Sequence, residues 1–460
     1  MRCALVAFGN EESYGLLFVG GELLLFGQEI RFFDAEMEDV VGQLVAWRPD
    51  LLLFSPLTVF FEAACKISAA VKERVPGVAA VFGGHHATCV PEISRLSCVD
   101  LVVAGPVRGA VERLLGGERG VIRTEPTEPG DLPQPARREY YRDLPRMAGR
   151  YRKIMCSILG CPWNCSYCSS ASSHLRELFG AAAHQRYFLR HRPLDQLIAE
   201  AREIIRHPTS EIEWVDDDVF CGPDVEDWIP EFAAAWKREI CLPLYVSTTS
   251  RSALRVPDRV LESLRGIVFC IGLGVQAVRP ESLRLLGRPW DNEAQMKAAF
   301  ERLVSFGFNV NLQAIVGLPV DDPVEDALET VRGLQRIGAG SVVSCYPLQI
   351  YPGTALERLC DERGLTRNPE CTGDTNTGIP ALAFPPEAVK RLRNICKLAT
   401  MFVKYSVGEE WMRALIDVDF DDETSRRLSL ARYRDCVVDR LGERGAEIFE
   451  GIVAGMNLRY

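Results

Sequence analysis

The sequence predicts an α/β protein with an N-terminal doubly wound domain, a partial barrel of six β/α units and a helical C-terminal domain. Short, continuous apolar runs end in small-residue turns before helical patterns, which is typical of parallel strands covered by helices. This alternation occurs as two series, with a proline-rich stretch between them. The length of 460 residues agrees with about three domains of roughly 150 residues each.

The first series, residues 1–125, predicts a Rossmann-like parallel sheet. Its strands are expected at Arg2–Phe8, Asp50–Phe54, Val78–Phe82 and Leu101–Ala104, with a helix over about Phe61–Arg74. The turns after these strands contain Gly9-Asn10, Ser55–Thr58, Gly83–His86 and Gly105. Because ligands bind at the carboxyl ends of such strands, we expect these turns to form a ligand site.

The second series, residues 151–366, follows a segment at 126–150 that is predicted to be a linker because of its prolines and charges. Its six strands are too few for a closed eight-stranded barrel and predict a partial (β/α)6 TIM barrel, with the active site at the carboxyl ends of its strands. These strands are expected at Lys153–Leu159, Glu211–Val215, Leu244–Thr248, Val268–Leu273, Val310–Val316 and Ser341–Leu348. Residues 367–460 are predicted to be a helical domain that shapes the substrate pocket, with helices over Ala388–Val403 and Tyr433–Ile452.

Composition restricts the partners and the compartment. The formal net charge of -10 argues against a nucleic-acid partner, and no run reaches the 18 or so apolar residues of a membrane span. We therefore expect a cytoplasmic protein with no nucleic-acid or membrane partner. In that compartment thiols stay reduced, so the 16 cysteines predict buried thiols and a metal site rather than disulfides.

Three cysteines have a spacing that indicates metal chemistry. Cys161, Cys165 and Cys168 directly follow the first strand of the predicted barrel. Thiolates suit both iron–sulfur clusters and structural zinc. Zinc would require a fourth close ligand, for which His174 is the nearest histidine. Cys156 lies five residues before the motif and is predicted to be a core residue.

The CxxxCxxC motif resembles the signature of the radical S-adenosylmethionine (SAM) enzymes. The resemblance implies that Cys161, Cys165 and Cys168 hold a 4Fe-4S cluster, whose fourth iron binds the amino and carboxylate groups of SAM. One electron from the cluster then cleaves SAM to a 5′-deoxyadenosyl radical. Positions that match family motifs at the strand ends imply SAM contacts from Tyr167, Asp216, Asp217, Asp218, Thr249, Arg251, Gln276 and Gly317. The chain departs from the family pattern at Gln276, where a glutamate is usual, and at Gln313, where a glycine is usual.

The N-terminal domain resembles that of the cobalamin-dependent radical SAM enzymes, through Gly83-Gly-His-His-Ala-Thr88 and the strand that ends at Gly105. The resemblance implies cobalamin contacts from Gly9, Asn10, Ser55, Thr58, Gly83, Gly84, His85, Thr88 and Gly105. No Asp-x-His-x-x-Gly motif occurs, so we expect cobalt without a protein histidine ligand. Two alternatives for the domain are a nucleotide-type module and a methylthiotransferase-type domain. The latter would hold a second cluster, for which Cys3, Cys65, Cys89 and Cys98 show no paired motif.

These resemblances imply a cobalamin-dependent radical SAM methyltransferase. It would methylate a carbon of a small-molecule or peptide intermediate and take electrons from a donor such as flavodoxin or ferredoxin. Its catalytic residues are not predicted; Tyr346, Tyr351 and the C-terminal helices are candidates for the substrate side. One alternative is an oxidoreductase or cyclase with the same cofactors, and another is a non-catalytic scaffold stabilised by zinc.

Overall fold

The computed structural model describes residues 1–126, 128–371, 373, 378–441, 443, 445–447 and 449–450. The strands are β1 (Arg2–Ala7), β2 (Glu29–Asp34), β3 (Leu51–Phe54), β4 (Ala79–Phe82), β5 (Leu101–Ala104), β6 (Gly120–Arg123), β7 (Arg152–Met155), β8 (Glu211–Trp214), β9 (Leu244–Thr249), β10 (Val268–Gln276), β11 (Asn309–Val316) and β12 (Val343–Pro347).

The helices are α1 (Tyr14–Leu25), α2 (Val40–Trp47), α3 (Phe61–Arg74), α4 (Gly84–Cys89), α5 (Ala110–Leu115), α6 (Arg137–Asp143), α7 (Pro145–Ala148), α8 (Ser172–Phe179), α9 (Ala181–Ala183), α10 (Leu194–Ile204), α11 (Val225–Glu239), α12 (Ser250–Arg255), α13 (Asp258–Leu264), α14 (Pro280–Leu285), α15 (Glu293–Ser305), α16 (Pro323–Gly338), α17 (Ala355–Glu362), α18 (Pro386–Lys404), α19 (Glu409–Ile416) and α20 (Asp422–Leu441).

The first sheet has the strand order β2-β1-β3-β4-β5-β6, and its strand pairs are parallel. Its central strands are buried along their whole length, as in the four residues of β3 and of β4. Burial on both faces explains the continuous apolar runs in the sequence. The predicted doubly wound domain is therefore confirmed, with β2 and β6 as two strands that the sequence analysis missed.

The second sheet has the strand order β12-β11-β10-β9-β8-β7, and the pairs from β9 to β12 are parallel. Six parallel strands in chain order, with helices in the connections, confirm the predicted partial barrel. The register shifts between Gly274 and Gln276 at the carboxyl end of β10. Such an irregularity re-aims side chains at a strand end.

The chain forms two compact units. Unit 1 contains Met1–Gly160, Ser172–Glu213 and Arg238–Ile240, and unit 2 contains Cys161–Ala171, Trp214–Lys237 and Cys241–Tyr460. The domain boundaries near residues 125, 150 and 366 stay predictions. Residues 126–150, predicted to be a linker, contain α6 and α7 and bury Arg137, Tyr140 and Tyr141. These side chains share one face of α6, because they are one, three or four residues apart.

The C-terminal part of unit 2 is helical, as the sequence predicts. Helix α18 packs on α16 and β12, and it buries Leu392, Leu398 and Phe402. The predicted helix Tyr433–Ile452 corresponds to α20 as far as Leu441, whereas its residues 442, 444, 448, 451 and 452 lie outside the described residues. Among the described helices, none has the length and the apolar character needed to cross a bilayer.

Candidate functional site

The cysteine loop, residues 161–168, has a backbone that is fixed by hydrogen bonds within unit 2. The amide of Ser166 donates to the carbonyl of Leu286 at 3.0 Å, and its hydroxyl donates to the carbonyl of Leu285 at 2.6 Å. The carbonyl of Ser166 accepts from the amide of Leu356 at 2.8 Å. The turn after α14 and the start of α17 therefore fix the part of the loop between Cys165 and Cys168.

Two residues that the sequence analysis missed pack against this loop. Gly287 has φ +70°, and a Cβ there would lie 2.4 Å from the carbonyl oxygen of Asn164. The buried guanidinium of Arg288 donates to the carbonyl of Gly274 at 2.6 Å and to Asp291 Oδ2 at 2.7 Å. Its positive charge opposes the rise that burial causes in the pKa of Cys165 and of Tyr167. No local motif marks either residue, because both act through a contact distant in sequence.

Burial raises the pKa of all three thiols. Cys161 and Cys165 are buried and Cys168 is half-buried. For Cys161 and Cys168 the nearby carboxylate of Asp217 adds to the effect of burial, whereas Arg288 opposes it at Cys165. Since metals bind the thiolate, ligation at this loop has to release protons.

The choice between zinc and a cluster at the loop depends on a fourth ligand. Within the described part of the chain, His85, Cys89 and His174 have ligand atoms that lie within 4.8 Å of one another. His174, considered above as a fourth zinc ligand, has its Nε2 3.3 Å from Cys89 Sγ.

The carboxylate of Asp218 has a structural role, because both of its oxygens accept hydrogen bonds from within the protein. It is fully buried and accepts hydrogen bonds at 2.6–3.2 Å from the indole of Trp163, the hydroxyls of Thr248, Thr249 and Ser252, and the amide of Phe220. Burial raises its pKa and the hydrogen bonds from these side chains oppose that rise. Thr249 also caps α12 by accepting from the amide of Ser252 at 3.2 Å. Both predicted SAM contacts are thus occupied by internal hydrogen bonds.

Asp217 differs from its two neighbours. Asp216 is buried and accepts from the indole of Trp214 at 2.5 Å, whereas Asp217 is exposed as a residue. Its carboxyl group is nevertheless surrounded by protein atoms, and this desolvation raises its pKa to about 6, with a hydrogen bond from Ser170 opposing and Asp216 and Asp218 adding to the rise. The charge of Asp217 also acts on the thiols of Cys161 and Cys168.

The other predicted SAM contacts lie at strand ends or on the loop. Arg251 stands over the rings of Trp163 and Trp290, at 5.1 and 5.6 Å, and lines a cavity of about 310 Å³. Gln276 has φ +68° and Gly317 has φ +76° at the ends of β10 and β11. A left-handed conformation is unusual for a glutamine, and such strain is concentrated at functional sites.

Unit 1 contains an apolar cavity of about 190 Å³ at the carboxyl edge of its sheet. Of the predicted cobalamin contacts, Ser55, Gly83, Gly84 and Gly105 line it. A Cβ on Gly84 would lie 2.3 Å from Ser55 Oγ, and one on Gly105 would lie 2.6 Å from Thr124 Oγ1. The glycines therefore keep the backbone close and the cavity open. Sequence analysis missed the lining side chains that come from other segments, among them Leu16, Phe18, Leu132, Leu159 and Tyr187.

The remaining predicted cobalamin contacts do not line this cavity. Arg146 donates to the carbonyl of Gly9 and to Asn10 Oδ1, each at 2.9 Å. Thr88 donates to the carbonyl of Gly84 at 2.8 Å and accepts from the amide of Gly105 at 3.1 Å, so that it joins the two glycine turns.

Thr58 and His85 are exposed members of the same predicted set. Thr58 Oγ1 lies 3.2 Å from His86 Nδ1. His85 is exposed as a residue, but desolvation of its ring, followed by His174 and His86, lowers its pKa to about 4.

Comparison with known proteins agrees with the cysteine loop of unit 2 and with the cavity of unit 1. Residues 8–115 match the model of the B12 binding domain, and residues 155–333 match that of the radical SAM superfamily. An uncharacterized methyltransferase, PH0819, from Pyrococcus horikoshii is 22% identical over 357 residues, 70% of this chain and 72% of the relative. Hopanoid C-3 methylase from Methylococcus capsulatus is 28% identical over 184 residues, 35% of this chain and 36% of the relative.

A solved structure is similar over nearly the whole chain. The cobalamin-dependent SAM radical enzyme OxsB, with aqua-cobalamin and SAM bound, has a TM-score of 0.63 at 14% identity and covers 98% of this chain and 75% of its own. At that identity the match shows the fold. The two family models and the cysteine motif together show that this chain belongs to the cobalamin-dependent radical SAM enzymes.

Proposed function

We propose that this enzyme is a methyltransferase that methylates a carbon of a small-molecule or peptide intermediate. The observation that carries the proposal is the three-thiol loop with the carboxylate of Asp217 close to it, in a chain that also matches the B12 binding domain. Two similar proteins are named as a methyltransferase and a methylase, and the second name specifies a carbon.

The residues of unit 2 fit a cluster and SAM. In the proposal, Cys161, Cys165 and Cys168 hold three irons, and Asp217 receives the amino group of SAM. Asp218 does not bind SAM, because its oxygens already accept hydrogen bonds from five donors. It instead holds Trp163 of the loop and Thr249 of β9 in fixed positions. When bound, the cluster, SAM and cobalamin supply electron transfer, the radical and the methyl group.

The residues of unit 1 fit the apolar part of a large cofactor. The cavity beside Gly83 and Gly84 offers mainly hydrocarbon surface, and Ser55 adds a hydroxyl at its edge. The glycine turns permit close backbone approach to a ligand. We propose that cobalamin inserts part of its structure here. An external one-electron donor such as flavodoxin or ferredoxin completes the system.

Labelled SAM tests the reaction. The enzyme is reconstituted anaerobically with iron, sulfide and cobalamin, and candidate substrates are incubated with a reductant and SAM that carries a CD3 group. We expect the CD3 group on a carbon of the product, together with cobalamin-dependent turnover. A product that has lost hydrogen and carries no label would instead identify an oxidoreductase or cyclase.

Cysteine variants test the cluster separately. Cys161→Ala, Cys165→Ala and Cys168→Ala are expected to lose bound iron and turnover. Cys156 is buried and its thiol donates to the carbonyl of Ile158 at 2.9 Å, so Cys156→Ala is the matched control and should retain iron. Stoichiometric zinc in place of iron, or equal iron loss in all four variants, would refute the assignment.

A further inference from the structure

Unit 1 contains a second set of metal-binding side chains, outside both the cysteine loop and the apolar cavity. His85 and Cys89 lie four residues apart on α4, so they project from the same face of that helix. His174 on α8 faces them. Two imidazoles and one thiol thus converge from two helices. None of the three residues belongs to the cysteine motif at residues 161–168.

The distances between these groups are those of a metal site. One ligand atom from each residue lies within 4.8 Å of the other two, and Cys89 Sγ is 3.3 Å from His174 Nε2. The ring centroids of His85 and His174 are 6.2 Å apart, with planes at 61°. Around a tetrahedral zinc ion, nitrogen and sulfur ligands lie about 3.4–3.6 Å from one another. A small closure by His85, the exposed member, would complete that geometry.

The donor set and its burial select the kind of metal. Imidazole and thiolate favour zinc and related transition metals over magnesium or calcium, which take oxygen ligands. His174 is buried, Cys89 is half-buried and His85 is exposed. A metal ion would therefore be anchored by the buried His174 and the half-buried Cys89.

We propose that His85, Cys89 and His174 bind one Zn²⁺ ion. The ion would join α4, which begins at the glycine turn of the cavity, to α8, which follows the cysteine loop in the chain. Its role is to fix these two helices of unit 1. The proposal assigns His85, which the resemblance implied as a cobalamin contact, to the metal ion instead. Because the site uses none of the cluster thiols and none of the residues that line the apolar cavity, it can fail or succeed independently of the proposed methyl transfer.

Metal analysis of the loaded enzyme tests the proposal. The full chain is reconstituted with its cluster and cobalamin, so that the motif thiols are occupied, then exposed to zinc and desalted. We expect one zinc per chain in addition to the cluster iron. Titration with Co²⁺ should give the d–d bands of a tetrahedral ion and a thiolate-to-cobalt charge-transfer band.

Near-isosteric variants identify the ligands. Cys89→Ser and His174→Gln should weaken Zn²⁺ binding by more than about tenfold, with the iron content unchanged. Cys65→Ser, a half-buried thiol of the same unit, is the matched control and should bind zinc as the wild type does. Substoichiometric zinc in the wild type, zinc retained by both ligand variants, or displacement of zinc when cobalamin binds would each overturn the proposal.

Discussion

Asp217 and Asp218 are adjacent in sequence and differ in what their carboxylates do. We expect Asp217→Asn to weaken SAM binding by about tenfold, about 1.4 kcal/mol, because the charge facing the SAM amino group is removed. Its iron content should match the wild type, and its unfolding free energy should not fall, because the raised pKa means that the charge of Asp217 is unfavourable in the folded chain. Asp218→Asn should behave in the opposite way and lower the unfolding free energy by about 2 kcal/mol, since its amide group faces donors that need an acceptor.

Equilibrium binding of SAM to the reconstituted variants, together with denaturant unfolding, separates the two effects. Each variant serves as the control for the other, because both remove one carboxylate at neighbouring positions. Equal SAM affinity in the wild type and in Asp217→Asn would contradict the role assigned to Asp217.

Gly287 lies so close to the cysteine loop that a side chain larger than hydrogen would clash with the loop backbone. In Gly287→Ala the new methyl group would lie 2.4 Å from the carbonyl oxygen of Asn164, a backbone atom that cannot move aside alone. We expect the reconstituted variant to hold less than about half of the wild-type iron. Gly307→Ala is the matched control, because Gly307 also has a positive φ, of +87°, but no atom within 4 Å of the added Cβ.

The control should lose only about 1 kcal/mol of stability from backbone strain and should keep its iron. Iron quantification per chain and the cluster absorbance measure the outcome. Full iron in Gly287→Ala would show that the loop adapts without help from the turn after α14.

At the scale of elements, helices α6 and α10 are joined by a buried ionic network in unit 1. Arg137 Nη1 lies 2.9 Å from Glu12 Oε2, and its Nη2 lies 2.8 Å from Glu200 Oε1. Arg192 Nη1 lies 2.8 Å from the other oxygen of Glu200. All four side chains are almost fully buried, so removing Arg137 leaves Glu12 without its ion-pair partner in a medium of low polarity. Glu12 then keeps only the neutral hydrogen bonds from the Tyr141 hydroxyl and the Ile154 amide.

We therefore expect Arg137→Met to lower the unfolding free energy of unit 1 by about 3–5 kcal/mol. Arg186→Met is the control, because it removes an exposed ion pair with Glu128. It should change the unfolding free energy by less than about 1 kcal/mol. Denaturant unfolding, monitored with a spectroscopic probe placed in unit 1, measures the unfolding free energy of both variants. A loss in Arg137→Met no larger than in the control would show that packing alone holds α6.

Lys153 of β7 gives unit 1 a pH dependence. Its ammonium donates to the carbonyls of Met147, Ala148 and Arg150 at 2.5–2.9 Å and so caps the end of α7. Burial lowers its pKa from 10.5 to about 8; Glu12 opposes this shift, and Arg137 and Arg150 add to it. Between these values the unfolded chain binds more protons than the folded one, so the contribution of Lys153 to stability rises with pH.

Relative to Lys153→Met, the wild type should therefore gain about 2 kcal/mol of unfolding free energy between about pH 7.5 and pH 10. Denaturant unfolding of both proteins at several pH values gives the difference, and groups that titrate in both cancel. A difference in unfolding free energy between the two proteins that stays constant or shrinks with rising pH would contradict this prediction. It would mean that the hydrogen bonds to the three carbonyls hold the pKa of Lys153 near its ordinary value.

The elements also show what a sequence can predict. The central strands β3 and β4 are recognisable because every residue is apolar, as burial on both faces requires. Edge strand β2 alternates Glu29, Ile30, Arg31 and Phe32 over too few residues to stand out. The three thiols are predictable from local spacing, whereas Gly287 and Arg288 are not, because only the tertiary fold brings them to the loop.

For the whole molecule, stability should depend on its cofactors. A ligand that binds only the folded chain stabilises it by about 2.7 kcal/mol at one hundred times its dissociation constant. We therefore expect cobalamin to raise the unfolding midpoint, and we expect Gly83→Val to abolish that rise. Gly83 lines the cavity, its φ is -136°, and an added Cβ would meet only Val103 at 3.7 Å. Valine thus fits the backbone and fills the space that cobalamin needs.

Gly149→Val, at a glycine that does not line the cavity, should keep the cobalamin-induced rise in the unfolding midpoint. If Gly83→Val were stabilised by cobalamin as strongly as the wild type, the cofactor would have to bind outside this cavity, and the assignment of Ser55, Gly83, Gly84 and Gly105 would fail.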